Sequence, residues 1–130
     1  MGSISVRSVK QTEWIDFTAE VERFVEASGI SNGLCHAYCS HTTAGLTINE
    51  HADPDVARDV CEALDGMVPL DISWRHAEGN SPAHVKATLV GASVSIPVRA
   101  GKLGLGTWQG VFLCEFDGPR TRRIELCVFS

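Results

Sequence analysis

Apolar and polar positions alternate with a period of two near both ends of the chain and follow a helical period in three stretches between them. Ile4 and Val6 alternate with polar neighbours, predicting an opening strand with one face exposed. From Thr18, which can cap a helix with Glu20 in its first turn, Val21, Phe24, Val25 and Ser28 follow i, i+3, i+4, i+7 spacing until Gly29 can close it. Asn32-Gly33 is a turn signal, and LCHAYCS after it predicts a strand with Cys35, Ala37 and Cys39 on one face and Leu34, His36 and Tyr38 on the other. His36 reads there as a packed, hydrogen-bonded strand residue. In HTTAGLTINE, His41 falls at a strand end, Gly45 allows a bend, and Leu46 to Ile48 resume extended structure.

Asp53-Pro54 then starts a second helix, with Val56, Val60, Ala63 and Leu64 as its buried stripe and Gly66 and Pro69 ending it. Met67 to Arg75 reads as a connecting loop in which Asp71 and Trp74 stand out. Ser81 as N-cap and Pro82 as first helical residue open a third, short helix, with Val85 and Leu89 inward and Gly91 as its stop. The remainder is strand and turn. Val94, Ile96 and Val98 alternate around Pro97, which marks an edge or a bulge; Ala100-Gly101 predicts a hairpin turn. Trp108 to Phe116 and Arg122 to Phe129, joined by Asp117-Gly118-Pro119, predict an antiparallel hairpin. In its first strand Gln109, Val111, Leu113 and Glu115 share a face, so Glu115 sits among apolar residues and needs a partner. Arg122 or Arg123 would supply a structural ion pair, a metal or catalytic role being the alternative.

At 130 residues the chain suits one domain, residues 1–130, and is too short for a (β/α)8 barrel, which takes about 250 residues. A net charge of -5 disfavours a nucleic-acid or anionic-membrane partner and confines any anion site to a local feature. Five cysteines without a C-x-x-C pair, and an N-terminus without an apolar run, point to reduced thiols in the cytoplasm. No run approaches the length of a membrane span.

The stretch RHAEGNSPAHVKATLVG gathers two histidines, a carboxylate and a helix start. Unpaired N–H groups at that start, with Gly79 and Asn80 letting a ligand approach the backbone and His84 and Lys86 nearby, predict a site for phosphate. A plain capped helix with solvated histidines is the alternative. His41, His76 and His84 leave an open coordination position of the kind catalytic zinc uses, although none forms an H-x-x-x-H or H-E-x-x-H pair. Lys86, Arg120, Arg122 and Arg123 could clamp phosphate, or form a solvated charged surface. Cys39 and Cys114, in apolar strands, read as inert packing.

Three blocks, HTTAGLTINEHADPDV, HAEGNSPAHVKATLVG and GTWQGVFLCEFDGPRTRR, with their spacing, resemble the YjbQ family of small proteins, often labelled secondary thiamine-phosphate synthases. The resemblance covers the chain from about residue 30 onward. It implies an α+β fold, an antiparallel β-sandwich with two or three short helices, assembled as a homotrimer with its site near a subunit boundary. It also implies that hydroxymethylpyrimidine diphosphate is joined to thiazole phosphate with release of pyrophosphate, as a weak activity, a side reaction being the alternative.

Carried over by position, the site residues are His41, Asn49, Glu50, Asp53, Glu78, His84, Lys86, Trp108, Gln109, Glu115 and Arg123. On this reading His41, His84 and His76 hold a divalent metal, zinc or magnesium, or polarise a leaving diphosphate, while Lys86 and Arg123 balance charge. Glu115 or Glu78 serves as base or orienter, Asn49, Glu50, Asp53, Asn80, Ser81 and Gln109 bind substrate, and Trp108 stacks on a ring. Arg75 departs from the family by standing where a second histidine is expected beside His76. Two alternatives use the same groups: a metal-dependent phosphoester or diphosphate hydrolase, and a trimeric small-molecule binder without turnover.

Overall fold

The computed structural model describes residues 1–70 and 73–130, so Asp71, one of the two residues distinguished in the connecting loop, lies outside the described residues. Eight strands and three helices are found there: β1 Gly2–Arg7, β2 Glu13–Asp16, α1 Thr18–Ser28, β3 Gly33–Cys39, β4 Ala44–Glu50, α2 Pro54–Met67, α3 Ser81–Val90, β5 Ser93–Arg99, β6 Lys102–Leu103, β7 Gln109–Glu115 and β8 Thr121–Phe129. A five-stranded sheet of order β1-β8-β3-β5-β6 faces a three-stranded sheet of order β2-β7-β4, and the paired strands run antiparallel. The α+β expectation holds, with one strand, β2, that its short irregular sequence EWID did not announce.

The alternation in the strands becomes the main core. Val6, Cys35, Ala37, Ile96, Val98, Ile124 and Leu126 from the larger sheet meet Ala44, Leu46, Val111 and Leu113 from the smaller one, with Val21 and Val25 of α1 added. Each such aliphatic side chain contributes roughly 1.5–3 kcal/mol relative to exposure. Behind the smaller sheet, Leu64 of α2 and Ala83 of α3 cover Cys114 and Phe116. β7 is therefore buried on both faces, and that is why VFLC is continuously apolar.

Three expectations need correction. β7 and β8 do not form a hairpin: β7 lies between β2 and β4, whereas β8 lies between β1 and β3 in the other sheet. The Asp117-Gly118-Pro119 segment carries the chain from sheet to sheet, and a side chain at Gly118 would collide with the carbonyl of Lys10 at 2.3 Å. The inward stripe of α3 is not Val85 and Leu89. Pro82, Ala83 and Lys86 are buried and Leu89 is 55% exposed, because the helix is held by a seat on β4, where a Gly45 side chain would lie 2.6 Å from the Gly91 carbonyl. Finally, α3 begins at Ser81, with Asn80 as an N-cap whose side chain makes no capping bond. Asp53, by contrast, caps α2 as expected, accepting from the Asp55 N–H at 2.9 Å.

Glu115 and Arg122 stand at one end of the sandwich, one from each sheet, and both are buried. Arg122 Nε donates to Glu115 Oε1 at 2.9 Å and Nη2 to Oε2 at 2.5 Å. Ser8 Oγ and the Asp117 backbone N–H donate to the same carboxylate at 2.7 and 3.0 Å. Burial alone pushes the Glu115 carboxyl up, but these donors outweigh it and hold it below its ordinary value. The pair thus contributes stability above the ordinary carboxylate range, and the contribution is lost as pH falls through the depressed folded value. Glu115→Ala is expected to lower unfolding stability in urea by roughly 3–5 kcal/mol by leaving a buried guanidinium unpaired, and Glu115→Leu with Arg122→Met to restore most of it. Equal losses in the single and double variants would show that the pair is not what joins the sheets here.

Candidate functional site

β3 stops at Cys39 opposite Ile124, so the next inward-facing N–H along β8, that of Arg123, has no strand partner. His41 supplies one: its Nε2 accepts the Arg123 N–H at 2.9 Å. That bond leaves the ring proton on Nδ1. Burial, then the charge of Arg122, pulls the His41 pKa below its ordinary value, favouring the neutral ring.

Across from His41, the segment before α3 brings His76 and Glu78, and the first turns of α3 bring His84. The rings of His76 and His84 lie edge to face with centroids 5.3 Å apart, and His76 Nε2 is 3.8 Å from a Glu78 carboxylate oxygen. Asn80 Nδ2 donates to Asp117 Oδ2 at 2.9 Å, and Arg120 grips the same residue, Nη2 to Oδ2 at 2.8 Å and Nε to the carbonyl at 2.7 Å. Arg122 Nη2, beyond Glu115, reaches Thr43 Oγ1 at 2.9 Å. These residues enclose a cavity of about 370 Å³, with Ser40 and Thr42 completing its wall. His41, His76, Glu78, Asn80 and His84, expected from sequence, are brought together here.

Others are not. Arg123 points its side chain to solvent and contributes only its N–H; Arg122 takes its place in the cavity wall. Alternation outward from buried Ile124 could have made that choice, since i−2 faces inward and i−1 outward. Glu115 lies behind the cavity with both oxygens occupied, which removes it as a base. Lys86 pairs with Asp65 and sits 5.9 Å over the Phe116 ring, lining a neighbouring cavity. Ser81 is the first residue of α3 and does not line the cavity. The helix start offers fewer donors than expected: Pro82 has none, and the Ala83 and His84 N–H groups are taken by the Asn80 carbonyl at 3.0 and 3.3 Å. Asp117, read only as a turn residue, was missed as a wall residue, whereas Arg120 and Arg122, named as possible phosphate clamps, do line the cavity.

Asn49, Glu50, Asp53, Trp108 and Gln109 gather at the far end of the smaller sheet, where Glu50 pairs with Gln109. The length of β4, about 20 Å, separates them from the histidines within one chain. Most of their polar atoms close local turns: Asn49 Oδ1 accepts from the Glu50 N–H, Glu50 from Ala52, and Gln109 from Gly106. Trp108 is 64% exposed. The five cysteines are free; burial pushes Cys35 up to about 11 and raises Cys114 further, in keeping with inert packing. Among the described residues no helix is long and apolar enough to cross a membrane.

Comparison with known proteins agrees with this anatomy. A family model described as UPF0047 protein YjbQ-like matches residues 2–130. The chain is 50% identical over 121 residues to the UPF0047 protein YugU of Bacillus subtilis, covering 92% of each, and 44% identical to a UPF0047 protein of Methanocaldococcus jannaschii, covering 96% of this chain and 91% of that one. A crystal structure of a YjbQ/UPF0047 protein from Clostridium acetobutylicum superposes with a TM-score of 0.96 at 46% identity, covering 99% of this chain and 100% of that one. One from Sulfolobus solfataricus gives 0.93 at 40%, covering 98% and 94%.

Imidazole ¹⁵N spectra through a pH titration check the His41 assignment. The expected result is an Nδ1–H tautomer that titrates below the ordinary histidine value of about 6.5. An Nε2–H tautomer, or a midpoint above that value, would contradict it.

Proposed function

Because the chain belongs to the UPF0047 YjbQ-like family, we propose that its histidine cavity binds a phosphorylated small molecule and transfers the organic group with loss of diphosphate, as in thiamine-phosphate synthesis. The observation that carries this reading is the convergence of three imidazoles and two guanidiniums, from four separate parts of the sequence, on one cavity of about 370 Å³. In the reaction, the carbon–oxygen bond to the diphosphate breaks with its electron pair on oxygen, and a ring nitrogen of the acceptor forms the new bond to that carbon. The protein's task is to take up the charge growing on the leaving group.

Arg120 and Arg122 are each already paired with a carboxylate, Asp117 and Glu115. Their N–H groups orient an anion, but the extra positive charge must come from protons on imidazole. His76 and His84 are the rings placed to carry it, with Glu78 orienting His76. His41, held neutral, donates through Nδ1. Binding of an anion then draws protons onto the site and strengthens as pH falls through the imidazole range.

A divalent ion, zinc or magnesium, would supply the same neutralisation. His76 and His84 could hold one, but the Nε2 lone pair of His41 is engaged, and among the described residues no three His, Cys, Asp or Glu side chains converge as a ligand set. The donor set is incomplete, so the roles above rest on protein groups alone. The homotrimer belongs to the same proposal: Asn49, Glu50, Asp53, Trp108 and Gln109 can serve a histidine cavity only if it lies in another copy. We place the protein in the cytoplasm on its unpaired thiols.

Calorimetric titration with sulfate, whose charge is constant between pH 6 and 8, tests the anion site. Affinity is expected to rise toward pH 6 and to fall about tenfold or more in His84→Ala and in Arg120→Ala. Formation of thiamine phosphate from its two precursors tests the transfer. Sulfate binding without turnover would leave a binder, and unchanged affinity in both cavity variants would remove the site.

A further inference from the structure

The imidazoles that line the cavity are held in different ways. The lone pair on His41 Nε2 is taken by the Arg123 N–H at 2.9 Å, so that ring can only donate, through Nδ1. His76 is placed the other way round. Its Nε2 stands 3.8 Å from an oxygen of the exposed Glu78 side chain, an acceptor that favours the ring proton on that nitrogen and leaves a lone pair on Nδ1. A histidine so oriented by a carboxylate is a nucleophile as well as a cation. The two arginines are also less committed than their ion pairs suggest. Arg120 bonds Asp117 through Nε and Nη2, and Arg122 bonds Glu115 and Thr43 through the same two nitrogens, so Nη1 of each is without a partner among the described residues. Nη1 of both arginines and Nδ1 of His41 put three donors on residues of one cavity wall. A phosphoryl group in transfer spreads its charge over three equatorial oxygens, one for each.

We infer that His76 is a phosphoryl acceptor, and that the cavity cleaves small phosphate monoesters at phosphorus through a covalent N-phosphoryl intermediate on this ring, an activity distinct from transfer of the organic group. The inference rests on the anion-site reading above and adds a second bond at which that site acts. In the first step the Nδ1 lone pair of His76 forms a bond to phosphorus, and the bond from phosphorus to the ester oxygen breaks with its electron pair on oxygen. The positive charge this places on the ring is balanced by Glu78. The departing oxygen takes a proton from His84, whose ring lies edge to face with that of His76, centroids 5.3 Å apart. In the second step water attacks the same phosphorus, its proton passes to His84, and the bond from phosphorus to nitrogen breaks with its pair returning to His76. Phosphate is released and both rings end as they began. Glu78 is a positioning residue here, because it acts on the ester only through His76. The substrate decides between the two activities. A carbon that stabilises positive charge favours cleavage of its own bond to oxygen, whereas an ester with a good leaving group and no such carbon is cleaved at phosphorus.

The test uses para-nitrophenyl phosphate, whose phenolate leaves without needing a proton, and intact-protein mass spectrometry after a quench in base, where a phosphoryl imidazole survives. His84→Asn keeps the nucleophile and removes the group that takes the proton from water. At saturating ester this variant is expected to gain the mass of one phosphoryl group with a stoichiometric burst of nitrophenolate, the adduct mapping to His76 and disappearing in acid. The parent is expected to turn the ester over with little adduct. Glu78→Gln, added to His84→Asn, is expected to slow the burst about tenfold or more at unchanged amplitude. If His84→Asn does not fold, the parent quenched within its first turnover reports the same adduct. An adduct on any other residue, or release of nitrophenolate with no adduct in either protein, overturns the inference. So does the absence of both release and adduct in a protein that binds sulfate, a result that leaves the anion site standing. Failure of the parent to bind sulfate overturns the anion site itself, and this inference with it.

Discussion

One charged contact between the two sheets organises the functional end of this molecule. Glu115 comes from the central strand of the smaller sheet and Arg122 from an interior strand of the larger, and neither has water to turn to. Burying two charges is expensive, and the arrangement holds because each remaining hydrogen-bonding position on the carboxylate is filled, by Ser8 and by the Asp117 backbone. The pair fixes how the sheets meet at that end. It also fixes the path of the six-residue connection between Glu115 and Arg122, with Gly118 pressed against the Lys10 carbonyl and Asp117 and Arg120 turned into the cavity.

The rest of the site follows from that register. With Arg122 inward, Arg123 presents its N–H where β3 has already ended, and His41 is the residue that completes the ladder. Its bond to the Arg123 N–H ties a loop histidine to the sheet edge, and His76 and His84 line the same cavity. Charge is apportioned with the same economy. Both arginines carry carboxylate partners, and in the adjoining recess Lys86 is paired with Asp65.

Much of this was legible in the chain. Alternation located β1, β3, β5 and β8, the Asp53-Pro54 cap located α2, and the histidines of HTTAG and of HAEGNSPAH do converge. What could not be read was decided by partners distant in sequence. Two apolar strands joined by a turn look like a hairpin, and nothing local reports that β7 is taken up between β2 and β4 instead. Val85 and Leu89 form an apolar pair on paper, but the seat on Gly45 turns a different face of α3 inward and buries Lys86, which no hydrophobic pattern would have selected. The polar residues of NEHADP and GTWQG lie on one end of the smaller sheet for reasons of turn geometry, and their distance from the histidines is a property of strand length that motif spacing does not encode.

The central claim is that the end of the sandwich braced by Glu115 and Arg122 is where the ligand binds. A crystal structure of the protein grown with inorganic diphosphate addresses it without reference to any assay. The account predicts the anion within hydrogen-bond distance of His84 and Arg120, with His41 still accepting from the Arg123 N–H. Diphosphate found instead beside Asn49 and Trp108 of a chain whose own histidine cavity, and every neighbouring copy's, stands apart from it would contradict the account.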